Sequence, residues 1–320
     1  MTNPNVVISI LNWNGAAKTI ACLESVRALD YDNYTVIVVD NASRDDSVTQ
    51  IRAAFPDVEL LQAETNLGFA SGHRFALDHV LAYHHDAALF WVLNNDATVR
   101  PDTLTALVAA YERHGDAIYG SVNLHADGDL RVQFGGGWEV DAAGQPAFRV
   151  YNVTRGMAYD RYLAEQKERI VVDVTGSSLM VPLAVIRQHG FFDEAFFFYA
   201  EETDYCLRMG KRGVPSIIVP ESAIVHEGAG SFTAQSSDLD WVRLYYRRRN
   251  LLMVAKRHRT KVFFLWRLGR EIRRCGRALL SSLKHNRRLV MTGECKARCF
   301  AVRDVILNRM GKTYAPEDYL

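Results

Sequence analysis

Cysteine is scarce and scattered in this chain of 320 residues. Its five cysteines are Cys22, Cys206, Cys275, Cys295 and Cys299. They form no CxxC pair, so the spacing fits neither a zinc ribbon nor a disulfide framework. The longest apolar run, Ala87 to Leu93, has seven residues, far below the roughly 18 that a membrane-spanning helix needs. The first residues also lack the basic and apolar segments of a signal peptide. We therefore expect a reduced, cytosolic chain that does not span a membrane.

Two nucleotide-binding motifs are missing as well. No GxxxxGK[ST] stretch occurs, which excludes a P-loop phosphate cradle, and no GxGxxG follows the first apolar run, which argues against a dinucleotide-binding domain. The composition is otherwise that of a packed globular chain, with 48% apolar and 23% charged residues. These values exclude disordered, collagen-like and coiled-coil proteins.

Charge is distributed unevenly along the chain, although the net charge is only +1. Residues 1–242 carry 17 Lys and Arg against 32 Asp and Glu, a net charge of −15. Residues 243–312 carry 21 basic residues against Glu271, Glu294 and Asp304, a net charge of +18. This asymmetry predicts an acidic catalytic or binding body and a basic surface for an anionic partner.

Short apolar runs alternate with helical patterns through the first half of the chain. The predicted strands are Val6–Leu11, Tyr34–Val39, Val58–Leu61, Leu89–Leu93 and Ile118–Ser121. Helices are predicted between them: one capped by Ser43, one over residues 69–84, and one from Pro101 to about His114. Strands separated by helices in this way predict an α/β fold with a doubly wound, mostly parallel sheet. From Trp241 onward the pattern is helical and basic.

Polar residues follow three of the predicted strands. They are Asn12 and Asn14, Asp40 and Asn41, and Asn94, Asn95 and Asp96. In a parallel sheet the ligand lies at the carboxyl ends of the strands, so these residues are candidates for binding. The Asp96 carboxylate flanked by amides suits a divalent cation that prefers oxygen ligands; the alternative is a plain Asx turn between strand and helix.

A second group of acidic residues surrounds the aromatic run AFFFYA. If a helix starts at Glu201, then Glu201 and Asp204 share one face and Glu202 points about 100° away. A carboxylate there suits a general base, while the alternative is acids that stabilise a helix start. His226, expected on a glycine-rich loop before Gly228 and Gly230, is either a metal ligand or an ordinary surface or core histidine. Arg247–Arg249 is predicted to be a solvated helix face.

Together these stretches resemble the family-2 glycosyltransferases of the GT-A fold, and most closely their rhamnosyltransferase-like branch. The resemblance covers about residues 5–257. The matching stretches, in order, are ISILNWNG, VIVVDNASRDDS, NLGFASG, LNNDATVRP, DVTGSSLMVPLAVIRQHGFFDEAFFFYAEETDYCLRMGKRG, AIVHEGAGS and YYRRRNLL. Each stretch alone is weak evidence for the family, but seven stretches in this order make the resemblance specific.

The resemblance implies a role for each matching residue. It places the nucleotide-sugar on Leu11, Asn12, Trp13, Asp40, Asn66, Gly68 and Asn95, with Asp40 accepting a hydrogen bond from a pyrimidine N–H. It makes Asp96 and His226 the ligands of Mg²⁺ or Mn²⁺, and puts Gly176 and Asp204 on the acceptor side. Glu202 stands where the family has its general base, with Glu201 as the alternative. The chain departs from the family at Glu201–Glu202, where Glu-Asp is usual, at Asn94, and at His73, which replaces an Asn.

The implied reaction is a single displacement with inversion, in which a carboxylate deprotonates an acceptor hydroxyl and a divalent ion supports the departing nucleoside diphosphate. The implied donor is dTDP-rhamnose or a UDP-sugar, and the implied acceptor is a glycan or a polyprenyl-linked glycan in cell-surface polysaccharide synthesis. The catalytic domain would cover residues 1–240, with a nucleotide-sugar half to about residue 120 and an acceptor half after it.

The basic helical region, residues 241–320, has three interpretations. Its cations are interleaved with large apolar residues such as Phe263, Leu265, Trp266 and Leu268, which favours peripheral docking on an anionic membrane over nucleic-acid binding. The other alternative is pairing with the acidic body, within one chain or across a homodimer. A nucleotidyltransferase also uses a parallel sheet and an acidic metal site, but the Gly-rich basic loop typical of that class is missing at the N-terminus.

Overall fold

The computed structural model describes residues 3–140, 146–151, 154–227, 237–286 and 293–319. The chain divides into two compact units. The first unit consists of Met1–Leu67, Ser71–Phe191 and Tyr205–Ser231. The second consists of Gly68–Ala70, Phe192–Asp204 and Phe232–Leu320, so the acidic and aromatic segment around Glu201 groups with the C-terminal helices.

A twisted sheet of mostly parallel strands forms the first unit. Its strands are β1 (Asn5–Asn12), β2 (Tyr34–Asp40), β3 (Glu59–Gln62), β4 (Ala87–Asn94), β5 (Ala97–Val99), β6 (Ile118–His125), β7 (Val132–Phe134), β10 (Arg169–Val171), β11 (Ser178–Pro182) and β12 (Ser216–His226), while β8 (Trp138–Val140) and β9 (Pro146–Tyr151) pair separately. The order across the sheet is β10-β12-β6-β11-β4-β1-β2-β3. β1 is parallel to β2 and β4, whereas β11 is antiparallel to β4 and β6. The predicted α/β class with a mostly parallel sheet is confirmed.

Helices connect these strands. They are α1 (Ala16–Arg27), α2 (Ser47–Ala54), α3 (Gly68–Tyr83), α4 (Thr103–His114), α5 (Tyr159–Glu165), α6 (Leu183–His189) and α7 (Glu201–Gly210). The apolar strand residues, among them Ile8, Ile10, Val38 and Trp91, form one buried core with the apolar faces of α1 and α4. Burial of this apolar surface is the main driving force for folding of the unit.

Two local predictions were wrong. The second helix begins at Ser47 and not after Ser43, because Ser43 hydrogen bonds to the Asp40 carboxylate through both its hydroxyl and its backbone N–H. His226 was expected on a glycine-rich loop, but it is the last residue of β12. Gly228 and Gly230, which follow it, lie outside the described residues.

The second unit is helical. Its helices are α8 (Ser237–His258), α9 (Lys261–Asn286), α10 (Gly293–Ile306) and a 3₁₀ turn, Pro316–Tyr319. An aromatic core joins α8, α10 and the segment before α7; it includes Phe197, Trp241, Tyr245, Tyr246 and Ala297. No helix among the described residues is long and apolar enough to span a membrane.

Arg249 lies in this core and not on a solvated helix face as predicted. Its side chain is fully buried and donates to the backbone oxygen of Gly311 at 2.8 Å and to the Thr313 hydroxyl at 2.9 Å. Its guanidinium also lies 4.9 Å from the centre of the Tyr246 ring. A buried charge is tolerated only when it is hydrogen-bonded in this way.

Several cations of the basic region are paired within the second unit. Glu271 is buried and contacts three arginines, which are Arg248, Arg274 and Arg298. Arg303 binds Asp304 through two nitrogens, at 2.7 and 2.9 Å. The three acidic residues of the segment 243–312 thus neutralise part of its positive charge. The remaining positive charge is carried by other basic residues of these helices.

Candidate active site

The ends of β1 and β2 are joined by a buried hydrogen-bond network. The Asn12 amide donates to Asp40 Oδ1 at 2.8 Å, and the Ser43 hydroxyl donates to the same oxygen at 2.6 Å. Parallel pairing places these residues side by side, since Asn12 is the register partner of Asp40. Asp40 is only 3% exposed, so its carboxylate is held in one orientation at the carboxyl end of the sheet.

The network continues to the end of β4. The Asn95 amide donates to the Thr19 hydroxyl at 3.0 Å, and that hydroxyl donates to Asn12 Oδ1 at 2.7 Å. The side chains of Asn12 and Asn95 are therefore engaged within the protein. Through its own bond to Oδ1, Asn12 also fixes the Asp40 carboxylate.

Asp96 and His226 are brought together by strand pairing. β5 pairs antiparallel with the end of β12, so that Ala97 faces His226. Asp96 is the residue directly before Ala97 in the chain. Asp96 Oδ1 is 3.3 Å from His226 Nε2, and both side chains are largely buried. In octahedral coordination with bonds near 2.1 Å, neighbouring ligand atoms are about 3 Å apart, so this pair fits a shared Mg²⁺ or Mn²⁺.

The imidazole of His226 is oriented by a second residue. Its Nδ1 lies 3.0 Å from Oε1 of Gln133, which is a residue of β7. An Nδ1–H that donates to this amide oxygen leaves the Nε2 lone pair directed towards Asp96, which is the tautomer that a metal ligand needs. Asn94 Nδ2 is also near, at 3.3 Å from Nε2.

Other predicted residues of the first unit lie around this edge. Leu11 packs against Gly72, where an added Cβ would come within 2.6 Å of Leu11 Cδ1. Trp13 is 6% exposed, and Asn66 Oδ1 accepts a hydrogen bond from the Asn41 amide at 3.1 Å. Gly176 lies in the turn before β11.

His73 is buried against the central strand β1. Its Nδ1 is 2.8 Å from the Ser9 hydroxyl, and the side chain has no exposed surface. Burial lowers the pKa of His73 to about 3, so the imidazole is neutral. His73 is therefore part of the core behind the candidate site.

In the second unit, Gly68 supports the backbone before α7. Its φ is +77°, and an added Cβ would lie 2.2 Å from the Phe197 carbonyl oxygen. The next residue, Phe69, donates its N–H to that same oxygen at 2.8 Å. Gly68 was predicted to line the nucleotide cleft, and within its own unit it lies directly against Phe197.

The two residues before Glu201 have an unusual backbone. Tyr199 and Ala200 have φ values of +71° and +67°. Residues other than glycine rarely adopt this left-handed region. The Asn250 amide donates to the backbone oxygens of both Phe198 and Tyr199 at 2.8 Å. Such strain persists only where the surroundings impose it, and it is concentrated at functional sites.

The two adjacent glutamates have different surroundings. Glu201 is 4% exposed, and its Oε2 accepts no hydrogen bond from the described residues, whereas Glu202 is partly exposed. Burial, and secondarily the charge of Glu202, raises the pKa of Glu201 well above its usual value. Burial thus favours the neutral form of Glu201 and leaves Glu202 as the accessible carboxylate of the pair.

Asp204 is buried on the same face of α7 as Glu201. Its Oδ1 lies 2.9 Å from His258 Nε2 and 3.3 Å from an Arg257 nitrogen. Arg257 also binds Asp193 at 2.6 Å. Predicted as an acceptor-side residue, Asp204 has no exposed surface and ties the start of α7 to α8.

Sequence reasoning missed the supporting residues Gln133, Ser43, Thr19 and Asn250. Asn250 lies in YYRRRNLL and Ser43 in VIVVDNASRDDS, two stretches that carried the resemblance, so a signal existed for both. Gln133 stands in an irregular segment with no motif of its own. It gains its position only from the pairing of β7 with β6.

Two family models match the chain. "Glycosyl transferase family 2" matches residues 6–162, and "Glycosyl transferase family group 2" matches residues 89–291, which is more than half of the chain. Among characterised relatives, the N-acetylglucosaminyl-diphospho-decaprenol L-rhamnosyltransferase of Mycobacterium tuberculosis is 28% identical over 207 residues, which cover 62% of this chain and 67% of that protein. The dTDP-rhamnosyl transferase RfbF of Shigella flexneri is 24% identical over 264 residues, covering 80% and 82%.

A solved structure supports the fold assignment. The mannosyltransferase PcManGT from Pyrobaculum calidifontis, in complex with GDP-Man and Mn²⁺, superposes with a TM-score of 0.60 over 97% of this chain and 89% of that one, at 16% identity. At this identity the likeness shows the fold alone, and that fold is GT-A.

Proposed function

Because the chain belongs to the family-2 glycosyltransferases, we propose that it moves a sugar from a nucleotide-activated donor to a glycan or polyprenyl-linked acceptor in cell-surface polysaccharide synthesis. The proposed donor is dTDP-rhamnose, with a UDP-sugar as the alternative, since two of its relatives are rhamnosyltransferases. The proposed stereochemical outcome is inversion.

The observation that carries this proposal is the Asp96–His226 pair on the same carboxyl-end edge of the sheet as Asp40. In sheets of this type ligands bind at that edge. A carboxylate and an imidazole whose facing atoms are 3.3 Å apart fit two neighbouring positions around Mg²⁺ or Mn²⁺. Asp40 is proposed to accept a hydrogen bond from the base, and Leu11, Trp13 and Asn66 to surround the nucleoside.

When bound, the divalent ion would offset the negative charge that develops on the departing diphosphate. Asp96 and His226 would hold the ion, and Gln133 would hold the His226 ring in the ligating orientation. Asn12 would keep the Asp40 carboxylate in place, and the Thr19 hydroxyl links Asn12 to Asn95.

We assign the general-base role to Glu202. A base must be accessible to the acceptor hydroxyl and must carry a negative charge before it takes the proton. Glu202 is the more exposed carboxylate of the pair, and burial favours protonation of Glu201. Asp204 would act as a positioning residue, because its bonds to Arg257 and His258 fix the start of α7.

The proposed location is the cytoplasmic face of a membrane, reached through α9. Five large apolar side chains of α9 are 47–78% exposed: Val262, Leu265, Trp266, Ile272 and Leu280. At 100° per residue they fall within one arc of about 120°, with Arg273 inside this arc and Arg270 and Arg277 beside it. An exposed apolar stripe flanked by cations is suited to the interface of an anionic bilayer. Phe263 and Leu268, expected in this stripe, are half-buried instead.

A screen of nucleotide sugars tests the function directly. The purified chain is incubated with each donor and Mn²⁺ or Mg²⁺, and release of the nucleoside diphosphate is measured with and without EDTA. We expect one preferred donor and loss of turnover on chelation. Full turnover in excess EDTA would contradict the metal-assisted mechanism, and retained anomeric configuration in the product would contradict inversion.

A further inference from the structure

Two histidines and a glutamate converge at the edge strand of the sheet. Glu59 is the first residue of β3, which is the last strand on its side, and His79 and His84 lie near the end of α3. Glu59 Oε2 is 3.0 Å from His79 Nε2 and 3.2 Å from His84 Nε2. All three donor atoms lie within 4.8 Å of one another.

This cluster is separate from the Asp96–His226 pair. Gln62, at the carboxyl end of β3, is the register partner of Asp40, while Glu59 pairs with Ile37 nearer the amino end of β2. With a rise of about 3.3 Å per residue, Glu59 lies roughly 10 Å along the strand from that carboxyl end.

We propose that Glu59, His79 and His84 bind Zn²⁺. Two imidazole nitrogens and one carboxylate oxygen form a donor set typical of zinc, whereas Mg²⁺ and Ca²⁺ prefer oxygen ligands alone. Tetrahedral bonds near 2.05 Å place ligand atoms about 3.3 Å apart, close to the distances of 3.0 and 3.2 Å from Glu59. Three protein ligands leave a fourth position for water.

The histidines converge because α3 ends between them. A spacing of five residues would place two side chains on different faces of a continuous helix. His84 is the C-cap of α3, with ψ at +69°, so the backbone has left the helical path there. Its ring centre is 5.7 Å from that of His79. The side chains are 26% exposed at His79, 16% at His84 and 37% at Glu59, so an ion can enter from solvent.

Bound zinc would connect the end of α3 to β3. Without the ion, the same residues form a histidine–glutamate hydrogen-bond cluster, and this is the alternative that the experiment must exclude. Because Asp96 and His226 could bind Zn²⁺ too, the test is made in the full chain carrying Asp96→Asn.

In that background, Zn²⁺ binding is measured by competition with a chromophoric chelator, and Co²⁺ is substituted to read the coordination number from its visible spectrum. We expect one equivalent of Zn²⁺ and a four-coordinate Co²⁺ spectrum. His79→Gln, His84→Ala and Glu59→Gln should each weaken binding by roughly 100-fold or more, since even partners outside the coordination shell are worth 10–100-fold. His85→Ala, at the exposed neighbouring histidine, should leave the affinity unchanged.

Thermal unfolding provides the second measurement. Added Zn²⁺ should raise the Tm of the Asp96→Asn chain but not that of the His79→Gln chain, because only an ion that binds the folded state stabilises it. Circular dichroism without metal establishes that each variant is folded. Absence of Zn²⁺ binding to the Asp96→Asn chain, or binding that survives His79→Gln and Glu59→Gln, would overturn the proposal. Neither result would affect the proposed sugar transfer, which uses other residues.

Discussion

Asp96 Oδ1 and His226 Nε2 lie 3.3 Å apart, although the two residues are distant in the chain. The contact arises where β5 pairs with the last residues of β12, placing Ala97 opposite His226. Gln133 then orients the imidazole from its other nitrogen at 3.0 Å. The first two predictions test this arrangement.

Asp96→Asn should abolish turnover and metal-dependent donor binding together. The amide keeps the shape of the side chain but removes the charge that a divalent ion needs. Donor binding is measured by calorimetry with and without Mn²⁺. Asp129→Asn, in an exposed turn of the same unit, is the matched control and should behave as the parent chain does. If Asp96→Asn binds Mn²⁺ and donor normally, Asp96 is not a ligand.

Gln133→Leu should weaken Mn²⁺ binding by about 10–100-fold, which is the usual effect of removing the partner of a ligating histidine. Gln133→Glu keeps an acceptor for the Nδ1–H and should retain most of the affinity. The apparent Mn²⁺ affinity is read from activity titrations and from direct metal binding. Equal affinities for the Leu and Glu variants would show that Gln133 does not orient His226.

Glu202→Gln should reduce kcat by roughly 10²–10⁴-fold with donor affinity little changed, because it removes a general base while preserving size. Glu201→Gln, which replaces a carboxyl that is already favoured in its neutral form, is the matched comparison and should retain much of the activity. The measurement is kcat and KM for the preferred donor and acceptor. An inactive Glu201→Gln beside an active Glu202→Gln would reverse the assignment.

The stability of the fold should depend on pH through Glu201. Folding raises the pKa of Glu201 above the value of about 4.5 that it has when unfolded, so the folded chain holds this proton more tightly. The contribution of the protonated Glu201 to the free energy of unfolding is fully present below pH 4.5 and is lost as the pH rises towards the folded pKa. Glu201→Gln cannot titrate. Its free energy of unfolding, compared with that of the parent chain, should therefore increase by up to about 1.4 kcal/mol per pH unit in that window.

Denaturant unfolding at several pH values between 4.5 and 8 checks this expectation. Glu64→Gln, at an exposed position, is the control and should show no comparable trend. A constant difference between Glu201→Gln and the parent chain across this range would show that Glu201 is not destabilised by ionisation.

Leu265→Ser combined with Trp266→Ser should release the protein from anionic vesicles. Each side chain would lose an apolar contribution of roughly 1.5–3 kcal/mol if fully buried in the bilayer, so binding should fall by at least about 10-fold. Sedimentation with and without anionic lipid, at low and high salt, measures the effect. Tyr83→Ser, at an exposed aromatic of the first unit, is the control. Failure of the parent chain to bind anionic vesicles at low salt would refute membrane docking.

Point substitutions are preferable to truncation for that experiment. Cutting the chain near Lys256 would remove α10, whose Ala297 and Ala301 pack in the same core as Tyr245 and Tyr246 on α8. Truncation would thereby expose an aromatic core and confuse loss of docking with loss of folding.

The sequence alone determined the strands and the polar residues at their ends. Leu89–Leu93 is apolar throughout and Val6–Leu11 is apolar except for Ser9, which is the pattern expected of a parallel strand buried on both faces. Because a parallel sheet brings the carboxyl ends of its strands to one edge, Asp40 and Asp96 could be nominated without knowing any distance. These are properties of residues close in the chain.

Only the tertiary structure decided which side chains meet. The orientation of His226 by Gln133, the burial of Arg249 and the different surroundings of Glu201 and Glu202 all depend on elements that are distant in sequence. Local patterns did not predict them because a residue's burial and hydrogen-bond partners come from whichever element packs against it. The two adjacent glutamates show this most directly, since Glu201 is 4% exposed whereas Glu202 is partly open to solvent.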